Sequence, residues 1–274
     1  MPEGHTVHRT ANAFASEFGG QQVWVDSPQG RFSAGAALIS GQKLKKSRAI
    51  GKQLFLLFEN GLTLRIHLGI YGKWNWRTNI EAKSFLNQPV VGEVRARFFT
   101  ETTVAELRGP TVCEILTNDE VQAVERRLGP DPLNPDKFTG DPRGEQYLRF
   151  LNKVQRSPKA IGLLLMDQVV VSGIGNVYRA ELLFRAGIDP YTPGSRLSEE
   201  QIHSLWKDAV ALLKVGVKTG FMITRKELFT KNPSKEDRNF VYKRENQPCR
   251  VCQTNISIAI EAGRKLYWCP TCQR

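Results

Sequence analysis

Residues 171–187, VSGIGNVYRAELLFRAG, place Gly173 and Gly175 immediately before Asn176 and a segment with helical periodicity. Glycine lets a backbone approach a ligand closely, and the N terminus of a helix presents N–H groups to an anion. The pattern therefore fits a phosphate-binding turn, although two glycines at this spacing also occur in simple chain reversals. The turn lacks the Lys-Ser/Thr pair of a nucleotide P-loop, which disfavours nucleoside triphosphate binding.

The charge balance of the whole chain also favours an anionic partner. Among 274 residues, 39 Lys and Arg face 27 Asp and Glu, which leaves a formal net charge of +12. Such an excess indicates nucleic acid or, less often, an anionic membrane surface. A merely basic soluble protein is the alternative.

The N-terminal residues carry no secretory signal. Glu3, Arg9 and Glu17 interrupt the first 20 residues, which lack a continuous apolar region. No stretch has the roughly 20 apolar residues that span a bilayer. We therefore expect a cytoplasmic protein with no membrane partner. Structural disulfides are rare in that compartment, so the cysteines need another explanation.

The order of predicted elements indicates an α+β protein of several domains. Val7, Ala11, Phe14 and Phe18 recur on one face of a leading helix. Short β-branched or aromatic segments follow up to about residue 115, and helical periods dominate from residue 118. Residues 220–247 are polar and basic and give no clear assignment.

Two C-x-x-C knuckles lie near the end of the chain. Cys249 and Cys252 form the first, Cys269 and Cys272 the second, and residues 253–268 between them have strand-like flanks around a turn at Ala262-Gly263. A single knuckle is typical of a redox pair, but two in series predict one structural Zn²⁺. The predicted hairpin tip carries Arg264 and Lys265, which suit a DNA backbone or simply face solvent.

Two further glycine-containing turns carry candidate functional residues. Lys52 follows Gly51 at the entrance of the strand QLFLLF, where a tight turn would hold its amine in place. The segment HLGIYGKW carries Ile70 and Tyr71 between glycines. Apolar residues at a loop tip either pack in a core or insert into something, and in a basic protein the candidate is a stack of DNA bases.

These segments, taken together and in this order, resemble the formamidopyrimidine-DNA glycosylase/endonuclease VIII family over almost the whole chain. The start MPEG and the turn containing Tyr71 are more similar to the endonuclease VIII branch. The segments are MPEG, IGKQLFLLF, HLGIYGKW, LGPDPL, SGIGNVYRAELLFRAGIDP and PCRVC…CPTC.

The resemblance implies a division into three domains. Residues 1–115 would form the catalytic domain, an N-terminal helix with an antiparallel β-sandwich. Residues 116–220 would form a helical helix–two-turn–helix domain that binds DNA. Residues 221–274 would hold a loop and a zinc finger with a β-hairpin. The partner would be damaged DNA at the nucleoid, bound by a monomer without a nucleotide cofactor.

The resemblance also implies the chemistry. Removal of Met1 would expose Pro2 as a secondary amine that attacks the sugar of a damaged nucleotide, expels the base and forms a Schiff base. The strand would then break by β- and δ-elimination. Glu3 would act as general acid, and Lys52 as proton donor and phosphate contact. Arg264 is counted among the catalytic residues as well as the DNA-binding ones.

The implied DNA contacts come from several parts of the chain. They grip the backbone so that the damaged nucleotide turns out of the duplex, while apolar residues fill the vacated space. The phosphate contacts are His67, Asn176 and Arg264; the filling residues are Ile70 and Tyr71; and Lys159 is placed with them as a further DNA-binding residue.

Three features depart from the family pattern. His5-Thr6 stands where much of the family has a second acidic residue, and VYKRENQPC lacks the glycines usual before the zinc module. The Arg-x-Phe filler of the purine-specific branch has no clear counterpart, since Arg108 lies in a shortened loop. This favours oxidised pyrimidines as substrates.

Three alternatives remain at this point. The same chemistry could act on oxidised purines, or the scaffold could bind damage without turnover. A zinc-ribbon transcription or ribosome-associated protein would explain the basicity and the cysteines, but not Pro2-Glu3 together with the Lys52 turn.

Overall fold

The computed structural model describes residues 2–134 and 144–274, so Met1 lies outside the described residues. Contacts divide the chain into two compact units, Met1–Arg127 and Leu128–Arg274. This division falls after the helix that follows the last strand of the sheet, whereas the predicted boundaries after residues 115 and 220 stay predictions. The elements of the first unit are α1 (Gly4–Phe18), β1 (Gln22–Asp26), α2 (Ser33–Ile39), β2 (Gln42–Ile50), β3 (Gln53–Phe58), β4 (Thr63–His67), β5 (Lys73–Thr78), α3 (Ala82–Leu86), β6 (Ala96–Phe99), β7 (Thr103–Arg108), β8 (Val112–Leu116) and α4 (Asn118–Arg127).

The strands of the first unit pair in an antiparallel sheet of eight, in the order β5-β7-β6-β1-β2-β3-β4-β8. Strand β1 joins two halves, because Gln22 and Val23 pair with β2 while Trp24, Val25 and Asp26 pair with β6. Buried side chains from both halves belong to one hydrophobic core. The predicted antiparallel sheet with a leading helix is thereby confirmed.

Helix α1 buries the face that the sequence predicts. Val7, Ala11, Phe14 and Phe18 are all buried, and the helix packs against β2 and β3. The ring of Phe14 meets Trp74, Trp76 and Phe98 edge-on, with ring centroids at 4.9, 5.0 and 5.5 Å. Edge-to-face pairs of this kind stabilise a core beyond their buried area.

Pro2 and Glu3 both precede the first residue of α1. The helix begins at Gly4, and Glu3 is its N-cap residue, with an extended backbone and no capping bond from its side chain. Pro2 therefore precedes the N-cap. Its ring does not start the helix but sits directly in front of it.

The second unit has its own core of helices. Helix α7 runs through it, and every residue from Asn176 to Phe184 is buried. The longest helix begins with a capping box, in which the Ser198 hydroxyl accepts from Gln201 N–H at 3.2 Å and Gln201 Oε1 accepts from Ser198 N–H at 2.9 Å. The elements are α5 (Glu145–Gln155), α6 (Ile161–Leu164), α7 (Asn176–Arg185), α8 (Glu199–Thr219), β9 (Ser257–Glu261) and β10 (Arg264–Trp268), with 3₁₀ turns at Gly194–Arg196 and Lys226–Leu228.

Strands β9 and β10 form the predicted hairpin between the two cysteine knuckles. Its two-residue turn is Ala262-Gly263, and both residues have positive φ, 46° and 71°. This is the backbone that tight hairpins require. Among the described residues, no helix is both long and apolar enough to cross a bilayer.

Replacing Phe14 tests the core of the first unit. Phe14→Ala should lower the free energy of unfolding by about 3–5 kcal/mol, because a buried aromatic ring leaves a cavity among Trp74, Trp76 and Phe98. Denaturant unfolding followed by tryptophan fluorescence measures the change. Leu38→Ala, on the 53% exposed side chain of Leu38 in α2, is the matched control and should cost about 0.5 kcal/mol or less. Equal losses in the two variants would contradict this description of the core.

Candidate functional site

The N-terminal Pro2-Glu3 pair lies against the first turn of α1. Glu3 is 0% exposed, and its carbonyl oxygen accepts from the N–H groups of Thr6 at 2.9 Å and Val7 at 3.4 Å. A buried carboxyl group is costly without compensating interactions, so such groups cluster at sites with a chemical purpose. The structure thus encloses an acidic group directly beside Pro2.

His5 and Thr6 follow on the same turn. His5 is 2% exposed, and its Nε2 lies 3.2 Å from the Thr6 hydroxyl. Burial lowers the pKa of His5 to about 4, with further lowering from the positive charges of the N terminus, Arg9 and His8. The imidazole is therefore neutral at physiological pH.

Lys52 and His67 come together at one end of the sheet. Gly51-Lys52 forms the tight turn between β2 and β3, and Gly51 has φ +56°, as a two-residue turn with glycine in first place requires. His67 ends β4, where it pairs with Gln53, the residue after Lys52. The two side chains also interact electrostatically, because the positive charge of Lys52 contributes to lowering the pKa of His67.

The hydrogen bonds of His67 assign its tautomer. Gly69 N–H donates to Nδ1 at 3.1 Å, while the Thr111 hydroxyl donates to the His67 carbonyl at 3.0 Å and lies 2.9 Å from Nδ1. Since Nδ1 accepts, Nε2 carries the proton of the neutral ring. Burial, followed by the charges of Lys52 and Arg65, lowers the pKa and keeps the ring neutral. His67 can thus donate one N–H to an anion.

The turn after His67 presents apolar side chains to solvent. Gly72 N–H donates to Leu68 O at 2.9 Å, and a Cβ on Gly72 would lie 2.2 Å from that oxygen. Gly69 has φ +64° and lies against Thr111. This tight geometry holds Ile70 and Tyr71 at the tip, 43% and 84% exposed. Neither side chain packs in the core, so the alternative prediction, that these apolar residues belong to a core, is wrong.

Asn176, at the start of α7, is tied to the hairpin. Its Nδ2 donates to the carbonyl of Lys265 at 2.8 Å. The guanidinium of Arg179, only 1% exposed, donates to Asn176 Oδ1 and to the same carbonyl at 3.2 Å. The side chain of Asn176 therefore organises the hairpin as well as the predicted phosphate turn.

Arg264 and Lys159 lie in different parts of the second unit. Arg264 begins β10 opposite Glu261, one residue before the Lys265 carbonyl that Asn176 and Arg179 hold. Lys159 is exposed in the loop between α5 and α6, and its carbonyl accepts from Gly194 N–H at 2.9 Å. Its role in DNA binding stays a prediction.

The four cysteines of the two knuckles converge. Their sulfur atoms lie within 4.8 Å of one another, with Cys249–Cys272 at 3.9 Å and Cys252–Cys269 at 3.4 Å. Four thiolates this close can hold one metal ion. The module packs on α7, where Ala180 and Phe184 share a cluster with Cys249 and Cys269.

Sequence reasoning missed two charged residues of α7 that shape the site. Arg179 and Glu181 lie in a helical pattern, where charged residues usually face solvent, yet both are buried. Glu181 accepts from the Thr224 hydroxyl at 2.5 Å and from the N–H groups of residues 240–242 at 2.7 to 2.8 Å. In the sequence, the polar residues of this helix do not gather on one face, and a glycine stands near each of its ends. This pattern, which is typical of a buried helix, could have revealed them.

Comparison with protein families and with known proteins shows what this chain is similar to. Residues 1–110 match the formamidopyrimidine-DNA glycosylase N-terminal domain, and residues 128–227 match the formamidopyrimidine-DNA glycosylase H2TH domain. The chain is 42% identical to Endonuclease 8 1 of Mycobacterium tuberculosis over the full length of both, and 31% identical to Probable endonuclease 8 2 of Streptomyces coelicolor, covering all of this chain and 94% of that one.

Solved structures have the same fold. The Lactococcus lactis Fpg bound to abasic-site DNA gives a TM-score of 0.79 at 21% identity over 99% of each chain. Its complex with N7-benzyl-Fapy-dG DNA gives 0.80 at 22% identity over the whole of both. The chain therefore belongs to the formamidopyrimidine-DNA glycosylase/endonuclease VIII family of DNA glycosylases with abasic-site lyase activity, and resembles its endonuclease VIII members.

Proposed function

We propose that this protein excises oxidised pyrimidines from DNA and cleaves the resulting abasic site, using Pro2 as the nucleophile. The observation that carries the proposal is the buried carboxyl group of Glu3, enclosed directly beside Pro2 at the start of α1. Since its substrate is chromosomal DNA, we place its action at the nucleoid in the cytoplasm. One Zn²⁺ ion is its only proposed cofactor.

The proposed reaction begins once Met1 is removed. An α-amino group titrates near about 8, and the positive end of a helix dipole lowers that value, so a useful fraction of Pro2 is unprotonated. Its nitrogen attacks C1′ of the damaged nucleotide, the glycosidic bond breaks, and the base leaves as a neutral molecule with the proton that the attacking nitrogen gives up. Glu3 supplies the proton that opens the deoxyribose ring at O4′, which leaves an iminium between Pro2 and C1′.

The iminium makes strand cleavage possible. It acidifies the proton at C2′, whose loss expels the 3′ phosphate, and a second elimination expels the 5′ phosphate. We assign Lys52 as the proton donor beside the leaving phosphate, because the Gly51-Lys52 turn fixes it near His67. The neutral His67 ring, with its proton on Nε2, donates to a neighbouring phosphate, as do Asn176, Arg264 and Lys159.

The preference for pyrimidines rests on the loop between β7 and β8. Only residues 109–111 join these strands, so no extended filler loop follows Arg108. The Arg108 guanidinium is itself held at the sheet, donating to Val91 O at 2.5 Å and to Glu106 at 2.8 Å. Held in this way, it is poorly placed to enter the base stack, which disfavours the purine alternative.

We assign the four cysteines to one structural Zn²⁺. A tetrahedral zinc with Zn–S bonds of about 2.3 Å separates its sulfur ligands by ~3.8 Å, and the observed contacts of 3.4 and 3.9 Å bracket that value. Four thiolates fill the coordination shell, which leaves no open position for catalysis. The ion would fix the hairpin that carries Arg264.

Borohydride trapping on a duplex with an oxidised pyrimidine tests the nucleophile. Borohydride reduces the iminium to a stable amine, so wild-type protein should give a covalent adduct that peptide mapping assigns to Pro2. Pro2→Gly, an amine terminus that is less constrained and less nucleophilic, should lose most glycosylase activity. Mass spectrometry confirms Met1 removal in both proteins.

The outcomes separate the alternatives. Equal base release by wild type and Pro2→Gly would contradict the amine mechanism. Tight binding without any adduct would support the second candidate, a damage-binding protein, which Thr6 in place of an acidic residue leaves open. Faster excision of an oxidised purine than of an oxidised pyrimidine would overturn the assigned preference alone.

The apolar turn gives a second prediction. The variant with Ile70→Ala and Tyr71→Ala should bind an abasic-analogue duplex about 10-fold more weakly, since stacking contributes about 1–3 kcal/mol per base. Binding to the same lesion in single-stranded DNA should change little, because no opposite strand leaves a space to fill. Fluorescence anisotropy measures both. Val91→Ala, at another exposed apolar residue (80%), is the control. Equal losses on duplex and single strand would refute the wedge role.

The cysteine cluster gives a third prediction. Wild-type protein should contain about one zinc per chain by elemental analysis, and Cys252→Ala should lose it together with duplex binding. Cys113→Ala should keep both, because burial raises the pKa of Cys113 to about 12 and leaves it a thiol within the sheet. Full zinc content in Cys252→Ala would contradict the assigned ligand set.

A further inference from the structure

One side chain holds the turn before α7 from both sides. The carboxamide of Gln168 accepts from Gly173 N–H at 3.0 Å and donates to the carbonyls of Ile174 at 3.0 Å and Met166 at 3.1 Å. It therefore bridges the Ser172–Gly173 and Ile174–Gly175 peptide groups, which flank the Gly173–Ile174 peptide at the centre of the turn. Gly173 has φ +94°, a conformation that this bridge maintains.

A second layer braces Gln168 from behind. The backbone N–H of Gly129 donates to Gln168 O at 2.8 Å, Ser172 N–H donates to Pro130 O at 2.9 Å, and the Ser172 hydroxyl donates to Gly129 O at 3.0 Å. A Cβ on Gly129 would lie 2.6 Å from Val169 O, so only glycine fits there. The segment LGPDPL, to which the proposed reaction gives no role, thus forms the support of this turn.

The geometry points to Gln168 as a positioning residue for phosphate binding, acting through the Gly173–Gly175 turn and braced by residues 128–131. This inference rests on the proposed contact between Asn176 and a DNA phosphate. An anion bound at a helix N terminus needs its donors fixed before it arrives, because ordering a glycine turn on binding weakens affinity. Gln168 fixes that turn without touching DNA itself.

The matched pair Gln168→Met and Gln201→Met tests the role. Methionine keeps the length of glutamine and loses its hydrogen bonds. Gln168→Met should bind an abasic-analogue duplex about 10-fold more weakly, and the slope of log affinity against log salt should fall in magnitude by about 1, as for one lost phosphate contact. At saturating DNA its rate of abasic-site cleavage should match wild type, so KM rises while kcat stays.

Gln201→Met removes a comparable glutamine–backbone bond from the capping box of α8 and should lower the Tm without changing KM or the salt slope. An unchanged affinity and salt slope in Gln168→Met would overturn the inference. Equal losses of affinity in both variants would do so too, since general destabilisation would then explain them. The binding measurements need no turnover, so they stand even if wild-type protein forms no adduct and the proposed reaction fails.

Discussion

Helix α7 is buried on every side, and its charged side chains must therefore find partners inside the protein. Arg179 and Glu181 are 1% and 0% exposed. A buried charge without hydrogen bonds would cost several kcal/mol, which would remove much of a domain's net stability. Arg179 instead donates to a carbonyl of strand β10, and Glu181 accepts from the N–H groups of residues 240–242, which lie outside the helices and strands. The positions of the hairpin and of residues 240–242 in the second unit therefore depend on the hydrogen bonds that these buried charges need.

These hydrogen bonds also fix the positions of residues that we propose to bind DNA. Arg179 and Asn176 hold the Lys265 carbonyl, which fixes the hairpin strand that begins with Arg264. Glu181 collects the N–H groups of residues 240–242 just before the cysteine module. One helix thus carries the Gly173–Gly175 turn at its N terminus and secures the four-cysteine module along its side. The turn, the hairpin and the loop share one rigid support.

Local patterns predicted the elements that local physics decides. The apolar face of α1 and the turn at Ala262-Gly263 are short-range features and are confirmed. Arg179 was not predicted, because a charged residue within a helical period ordinarily marks the solvent side and only complete burial of the helix reverses that meaning. Thr111 was missed for a related reason: its contact with His67 joins residues far apart in the chain.

His5-Thr6 stands where much of the family has a second acidic residue, and the effect of this difference depends on the charges around the Pro2 amine. A carboxylate at either position would attract the protonated form of the Pro2 amine and raise its pKa. His5, with a pKa of about 4, stays neutral instead, and Thr6 adds only a hydroxyl. The amine in the proposed reaction then keeps more of its unprotonated, nucleophilic form at neutral pH. A neutral imidazole beside a hydroxyl can still accept a proton on one atom while giving one from another. The missing acid therefore removes a charge from this end of α1 without removing a route for protons, and Glu3 is left as the acidic group adjacent to Pro2.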